Sequence, residues 1–398
     1  MKEKLDNPIY NEALFIKEYL TKIRRKIHQY PELGMQEFKT TKLIKQELSN
    51  IGIDIIEINS DVGVLGVIRG IKKGSKKVTA LRADMDALPI AEKTNLPYAS
   101  KNTGIMHACG HDGHTAILLG TAKLLSKMKE KFSGTIKFIF QPDEENLNGA
   151  KLMVEEGALE NPRVDTIVAL HCWPSLETGK IGVWKGPYMT SSDKFKIKVI
   201  GKGGHGANPH KAIDPVIASA EIILALQNIV SREIDSQDSV VLSICTVNGG
   251  QATNVIPNEV KMTGTVRCKK VELRDVMKEK IERVIKGVSN AANCKYSYKY
   301  TYGTSVLIND QDVIDSIVKS TEQVLGNDWV KELEQPAMSS EDFSCYLEKI
   351  QHGAFIRIGN TNLGEEPLLV HTSQFDFNDD AIPIGVAVLA QFVLNVNQ

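Results

Sequence analysis

The chain has no surplus of charge of either sign: among its 398 residues, 48 Lys and Arg stand against 49 Asp and Glu, a formal net charge of −1. That balance offers no electrostatic footprint for nucleic acid and no polybasic surface for anionic lipid, so neither partner is expected. Cysteine is scarce. Its six residues, at 109, 172, 245, 268, 294 and 345, are never closer than 23 positions, which excludes a CxxC redox pair and a Cys-rich zinc module and fits a reducing, cytoplasmic setting. Long apolar runs are also missing. The opening MKEKLDNPIY is charged where a signal peptide needs about 7–15 apolar residues, and no segment reaches the roughly 20 apolar residues of a membrane span. Ala381–Val396 comes nearest, but it carries Pro383, Gly385, Gln391 and Asn395 and reads as a buried helix. A soluble protein is expected, long enough at 42% hydrophobic composition for two or three domains of about 150 residues.

What is present is an alternation of periods. Residues 12–28 and 40–50 have helical spacing, and 77–81, 135–140 and 166–170 are short strand-like runs, an order that predicts an α/β sheet. Residues 113–128 carry Ile117, Leu118, Ala122, Leu124 and Leu125 as a helical stripe suited to packing on that sheet. From about Tyr188 the pattern changes. A strand at 194–200 leads through the turn GKGGHGANPH to a helix marked by Asp214 and Pro215, an N-cap acid followed by a first-turn proline. Strands at 239–247 and 259–267, a helix at 272–291 and a Tyr-rich strand at 296–302 complete the order of a split βαβ, ferredoxin-like α+β domain. It is expected as an insertion over 188–302, with 1–187 and 303–398 forming the domain around it. After the insertion come a helix at 313–325, a helix after Ser339, a strand at 354–358 and the final helix.

Three of nine histidines crowd into Met106-His107-Ala108-Cys109-Gly110-His111-Asp112-Gly113-His114. Thiolate and imidazole together suit Zn²⁺, with Mn²⁺ and Ni²⁺ open because affinity order alone rarely selects a metal. Taken alone, the cluster could be a polar loop capping the following helix. Other donors, however, sit just past strand-like runs, where open α/β sheets place their sites: Asp84 and Asp86, then Asp143, Glu144 and Glu145, then His171. His371 lies on a late loop that could fold back over the sheet. Adjacent Glu144 and Glu145 suggest a division of labour in which one carboxylate holds a metal and its neighbour takes a proton from water, whose pKa a metal lowers to about 7. Hydrolysis is the reaction class this favours.

The strings MHACGHDGH, FQPDEE and ALHCWP, with RRKIHQYPELGMQE before them and NVIPNEVKMTGTVR in the insertion, resemble the aminoacylase/carboxypeptidase family of co-catalytic metallohydrolases, in particular its amidohydrolase branch. The likeness runs from about Arg24 to His371. It implies a phosphorylase/hydrolase-like catalytic domain with a mixed, mostly parallel sheet, and two divalent metal ions per subunit (Zn, Mn or Ni). It implies that Cys109 bridges the ions, that His111, Glu145, His171 and His371 complete their shells, and that Glu144 is the general base. Asp86 matches the acid that supports a ligand, whereas Asp84 stands where the wider family has a metal-binding His and is left out of the shell. His107 and His114 are read as supporting or packing residues, and His28 as structural. Asp143, where the branch more often has a small residue, puts a charge beside the base.

The same likeness implies a homodimer formed through the inserted domain. His205 would reach the scissile carbonyl, often in the partner's site, and Asn254 and Arg267 would orient the substrate. The glycines around His205, and only two chain crossings near Pro187 and Gly303, further suggest that the insertion closes as a lid. The implied activity is cleavage of an N-acyl-amino acid to a carboxylic acid and a free amino acid. A dipeptidase or aminopeptidase on the same scaffold is the rival within enzymes. A non-catalytic metal- or ligand-binding protein is the rival outside them.

Overall fold

Four runs rich in Val, Ile, Leu and Phe form the centre of the larger sheet in the computed structural model, which describes residues 7–398. The charged opening, residues 1–6, on which part of the N-terminal reading rests, lies outside the described residues. The strands Thr135–Gln141, Val78–Asp84, Thr166–Glu177 and Gly353–Thr361 lie side by side and parallel in that order, and the first two are buried at every position. Continuous burial means that both faces are covered, which is why these strands read as unbroken apolar runs and not as alternating ones. Val64–Arg69 and Asp54–Ile56 extend one side antiparallel, and Ile181–Val183 and Val330–Glu332 extend the other. The fold is thus α/β with a large mixed sheet whose centre is parallel. A parallel centre brings strand C-termini to one edge, and there Asp84 and Gln141 stand opposite each other in register.

The His111–Ser126 helix begins at Gly110, whose φ of 86° is left-handed. A side chain here would place its Cβ 2.6 Å from Cys172 Sγ, so glycine is required twice over. The helix is buried on nearly all sides, more widely than the expected stripe, because Lys17–Gln29 and Ala381–Val396 pack around it. Two helices depart from expectation. The predicted helix at 12–28 is instead Pro8–Phe15 and Lys17–Gln29, the first capped by Asn7 Oδ1, which accepts from the amides of Ile9 (2.8 Å) and Tyr10 (3.2 Å). The helix expected after Ser339 is only Ser344–Leu347.

The chain divides into two compact units: the described chain to Gly186 with Ile308–Pro336 and Asp342–Gln398, and Pro187–Leu307 with Ala337–Glu341. In the second, Val240–Asn248, Glu259–Cys268, Asp193–Ile200 and Lys295–Thr301 form an antiparallel sheet in that spatial order. Phe195, Ile197, Val199, Val260, Met262 and Val266 meet the apolar faces of Pro215–Asn228 and Leu273–Ala291, while alternate positions such as Lys194, Lys196 and Lys299 are exposed. Asp214 caps the first of those helices by accepting from the Val216 amide at 2.8 Å.

Candidate metal centre

The donors come from four separate segments of the chain, Cys109 and His111 sharing one, so no single local pattern assembles them. Cys109 precedes the His111–Ser126 helix, Glu145 follows the Thr135–Gln141 strand, and His171 lies in the Thr166–Glu177 strand. His371 sits on a late loop in a left-handed conformation (φ 61°), tied down by its amide, which donates to the Ala108 carbonyl at 2.7 Å. Cys109 Sγ lies 3.3 Å from His171 Nε2. Glu145 Oε1 lies 3.2 Å from His371 Nε2 and 4.0 Å from His111 Nε2. Ligand atoms bound at 2.0–2.3 Å to one tetrahedral ion stand about 3.3–3.8 Å apart, so these separations suit metal coordination. Cys109, Glu145 and His371 form one cluster of mutually close donor atoms, and His111, Glu144 and Glu145 another.

Two of the donor atoms also lack a protein hydrogen bond. His111 Nε2 and Glu145 Oε1 are buried without a hydrogen-bond partner, a costly state unless something else binds them. Behind them Asp86 acts on both: its Oδ1 faces His111 Nδ1 at 3.1 Å, and its Oδ2 accepts from the Glu145 amide at 3.0 Å. His171 Nδ1 is likewise occupied, at 2.7 Å from the Cys172 carbonyl, which leaves Nε2 toward Cys109. Carboxylate or carbonyl support of the far imidazole nitrogen is the arrangement that orients metal-binding histidines.

Asp84 and His114 lie within donor distance of His111 and His171, yet each already has its partners. The Cys172 amide donates to His114 Nε2 at 2.8 Å, which places the ring proton on Nδ1, where it is donated to Asp84 Oδ1 at 2.6 Å. The other Asp84 oxygen accepts from Arg82 Nη1 at 2.7 Å. Arg82 and Asp84 stand two residues apart in a strand buried at every position.

The electrostatics follow from crowded anions. Burial, with Glu145 next, pushes the Cys109 thiol well up, and a bound cation would favour the thiolate instead. His111 is pushed down by burial, but Asp84 and Asp86 outweigh that and raise it to about 10, whereas burial and neighbouring His114 push His171 well down. The acid-rich side of the centre therefore attracts positive charge.

Glu144 is buried beside Glu145. Asp143 has its carboxylate turned onto the side-chain amides of Asn146 (2.6 Å) and Asn148 (3.3 Å), in space left by Gly34, where a Cβ would come 1.9 Å from Asp143 Oδ1. His28 is fully buried with Nδ1 2.8 Å from Asp112 Oδ2, and His107 packs 6.2 Å from it with both ring nitrogens unpartnered. Arg24, also fully buried, is surrounded by Asp112, Asp376 and Asp379, a cluster the sequence reading missed because its members span the chain.

His205, Asn254 and Arg267 belong to the second unit. His205 is exposed and pairs with Val255, next to Asn254, and the Asn254 carbonyl accepts from the Gly206 amide at 2.8 Å. The Ala207 amide donates to His205 Nδ1 at 3.1 Å, so the neutral ring carries its proton on Nε2. Arg267, half-buried, bonds locally to Thr265 and to the Val266 carbonyl. The structure thus collects the five expected ligands, Glu144 and Asp86 in one unit and the three residues expected to touch substrate in the other.

Comparison with known proteins gives a consistent pattern. The sequence pattern described as peptidase family M20/M25/M40 matches residues 80–395. The chain is similar to the hippurate hydrolase of Campylobacter jejuni, 39% identical over 384 residues that cover 96% of this chain and 98% of that one. It is similar to the N-acetyl-L-cysteine deacetylase of Bacillus subtilis, 42% identical over 357 residues, covering 89% and 82%. Among solved structures, the Bacillus subtilis YXEP protein, described as a dinuclear metal binding peptidase, superposes with a TM-score of 0.84 at 36% identity, covering 96% and 99%.

Proposed function

Because this chain belongs to peptidase family M20/M25/M40, we propose that it hydrolyses the amide bond of N-acyl-amino acids, releasing a carboxylic acid and a free amino acid. The observation that carries the reading is the pairing of Glu145, placed among the His111, His371 and Cys109 donor atoms, with a buried Glu144 at its side. A storage site would not need the second carboxylate. Two divalent ions, of zinc, manganese or nickel, held by Cys109, His111, Glu145, His171 and His371 would polarise the acyl carbonyl and lower the pKa of water there.

Glu144 takes the proton from the attacking water and returns it to the leaving amine nitrogen as the C–N bond breaks. His205, with its proton on Nε2, donates a hydrogen bond to the oxyanion that develops on the carbonyl. Asn254 and Arg267 orient the substrate's carbonyl and carboxylate. The protein works in the cytoplasm as a homodimer formed through the inserted domain. Among the described residues no helix is long and apolar enough to cross a membrane.

The test is a substrate panel run on wild type and Glu144→Gln. Acetyl-, benzoyl- and indole-acetyl-amino acids should be cleaved in preference to unblocked dipeptides. The variant should keep its metals and lose about 10²–10⁴-fold in turnover. Preference for dipeptides would make the protein a dipeptidase or aminopeptidase, and full activity of the metal-loaded variant would remove Glu144 from the mechanism.

A further inference from the structure

We infer that Asp342 is a positioning residue whose carboxylate clamps both ends of the loop at 142–149 and so aims Glu144, an inference that rests on the proton-transfer role proposed for Glu144. Asp342 is fully buried, just ahead of the Ser344–Leu347 helix. The loop leaves the sheet after Gln141 and enters the Gly149–Glu155 helix. On the sheet side, Gln141 Nε2 donates to both Asp342 oxygens at 2.9 Å each. On the helix side, the Ala150 amide donates to Asp342 Oδ2 at 2.8 Å. A single carboxylate therefore spans the two feet of the loop.

The clamp is itself held. Arg82 Nη2 donates to Asp342 Oδ1 at 3.0 Å, and Arg82 Nε donates to Gln141 Oε1 at 2.8 Å. Tyr346 Oη also donates to that amide oxygen, at 3.1 Å. With its oxygen committed to these two donors, the Gln141 amide can present only its NH2 to Asp342. Three donor groups already engage the Asp342 carboxylate, so its approach to within 4.8 Å of Glu144 does not make it a metal ligand.

The loop needs such a hold because its own backbone is strained. Asp143 (φ 55°) and Leu147 (φ 60°) are left-handed, and for a bulky leucine that region is costly. Strain of this kind persists only when the surroundings over-determine it. The loop closes on itself through Leu147 N to Glu144 O at 2.6 Å and Gly149 N to Asp143 O at 3.1 Å. Gly149 presses so closely on Pro142 that a Cβ would lie 1.6 Å from the Pro142 oxygen. Loosening either foot lets the turn relax, and Glu144, between the feet, moves with it.

The experiment is Asp342→Asn in the metal-loaded enzyme, alone and combined with Glu144→Gln. The amide turns an NH2 group toward donors that need an acceptor. The expected result is a kcat lowered by about 10²-fold, as for a misplacement near 1 Å, with KM and metal content close to wild type. Amide hydrogen exchange should accelerate over 142–150. In the Glu144→Gln background the same change should cost less than about threefold, because a group that acts by aiming Glu144 has nothing left to aim. If Asp342→Asn fails to fold, Gln141→Met, which loosens the sheet-side foot alone, should lower kcat with metals retained. Wild-type kcat in a folded Asp342→Asn, an equal loss in both backgrounds, or loss of metal would each overturn the inference. Failure of the mechanism itself is distinct, since it would appear as full activity in Glu144→Gln alone.

Discussion

The Asp86 carboxylate faces His111 Nδ1 at 3.1 Å, and with that nitrogen occupied the buried Nε2 on the far side of the ring has no hydrogen-bond partner. The ring is therefore oriented before any ion arrives. Asp86→Ala should weaken metal binding about 10–100-fold while leaving all five ligands in place. A chelator-competition titration of wild type and variant measures this, and equal affinities would show that the contact does not orient the ligand.

Cys109→Ser replaces a thiolate with a hydroxyl, a harder and far less acidic ligand. If Cys109 bridges two ions, at least one should be lost or exchanged more readily, and the metal that best supports activity should change. A merely structural buried cysteine would tolerate the change at a cost of about 1 kcal/mol or less, with metal content intact. Mass spectrometry of metal stoichiometry separates these outcomes.

His205→Ala should lower kcat much more than it raises KM, with no loss of metal, because stabilising a developing oxyanion is worth most in the transition state. If the partner subunit supplies this histidine, mixing His205→Ala with Glu144→Gln subunits should restore activity, since one site of each heterodimer then has both groups. Absence of rescue after verified subunit exchange would place His205 in its own chain's site or outside the reaction.

His28 gives a pH signature of stability. Burial disfavours its charge, but Asp112 and Glu92 outweigh burial and raise the imidazole from 6.5 to about 9. A raised folded pKa means that the stabilising charge is fully present below about pH 6.5 and is lost as pH rises through 9, a contribution of up to about 3 kcal/mol. Urea unfolding of wild type and His28→Asn should therefore differ most near pH 6 and converge by pH 10. A difference independent of pH would mean that the ring is neutral throughout.

The central strands were legible because strands covered on both faces leave unbroken apolar runs, and the Asp214–Pro215 start because capping is local chemistry. The same signal at Asn7–Pro8 passed unread, so the first helix was started too late. Val64–Arg69 was missed because Gly63 and Gly66 interrupt its pattern. The five expected ligands could be named through motif resemblance, since each lies in a short string. Arg82, Gln141 and Asp342 could not: up to 260 positions separate them, and periodicity carries no information about a contact made only by the folded sheet.

The interruption of the large sheet also sets an order of events during synthesis. Gly353–Thr361, parallel neighbour of Thr166–Glu177, is made only after the whole of Pro187–Leu307, and His371 follows still later. A ribosome therefore releases most of the smaller unit, Pro187–Leu307, and later its Ala337–Glu341 segment, while the larger one still waits with an apolar strand edge open. Such a nascent chain carries an exposed, aggregation-prone edge, and the cluster of Cys109, Glu145 and His371 cannot assemble until His371 has emerged.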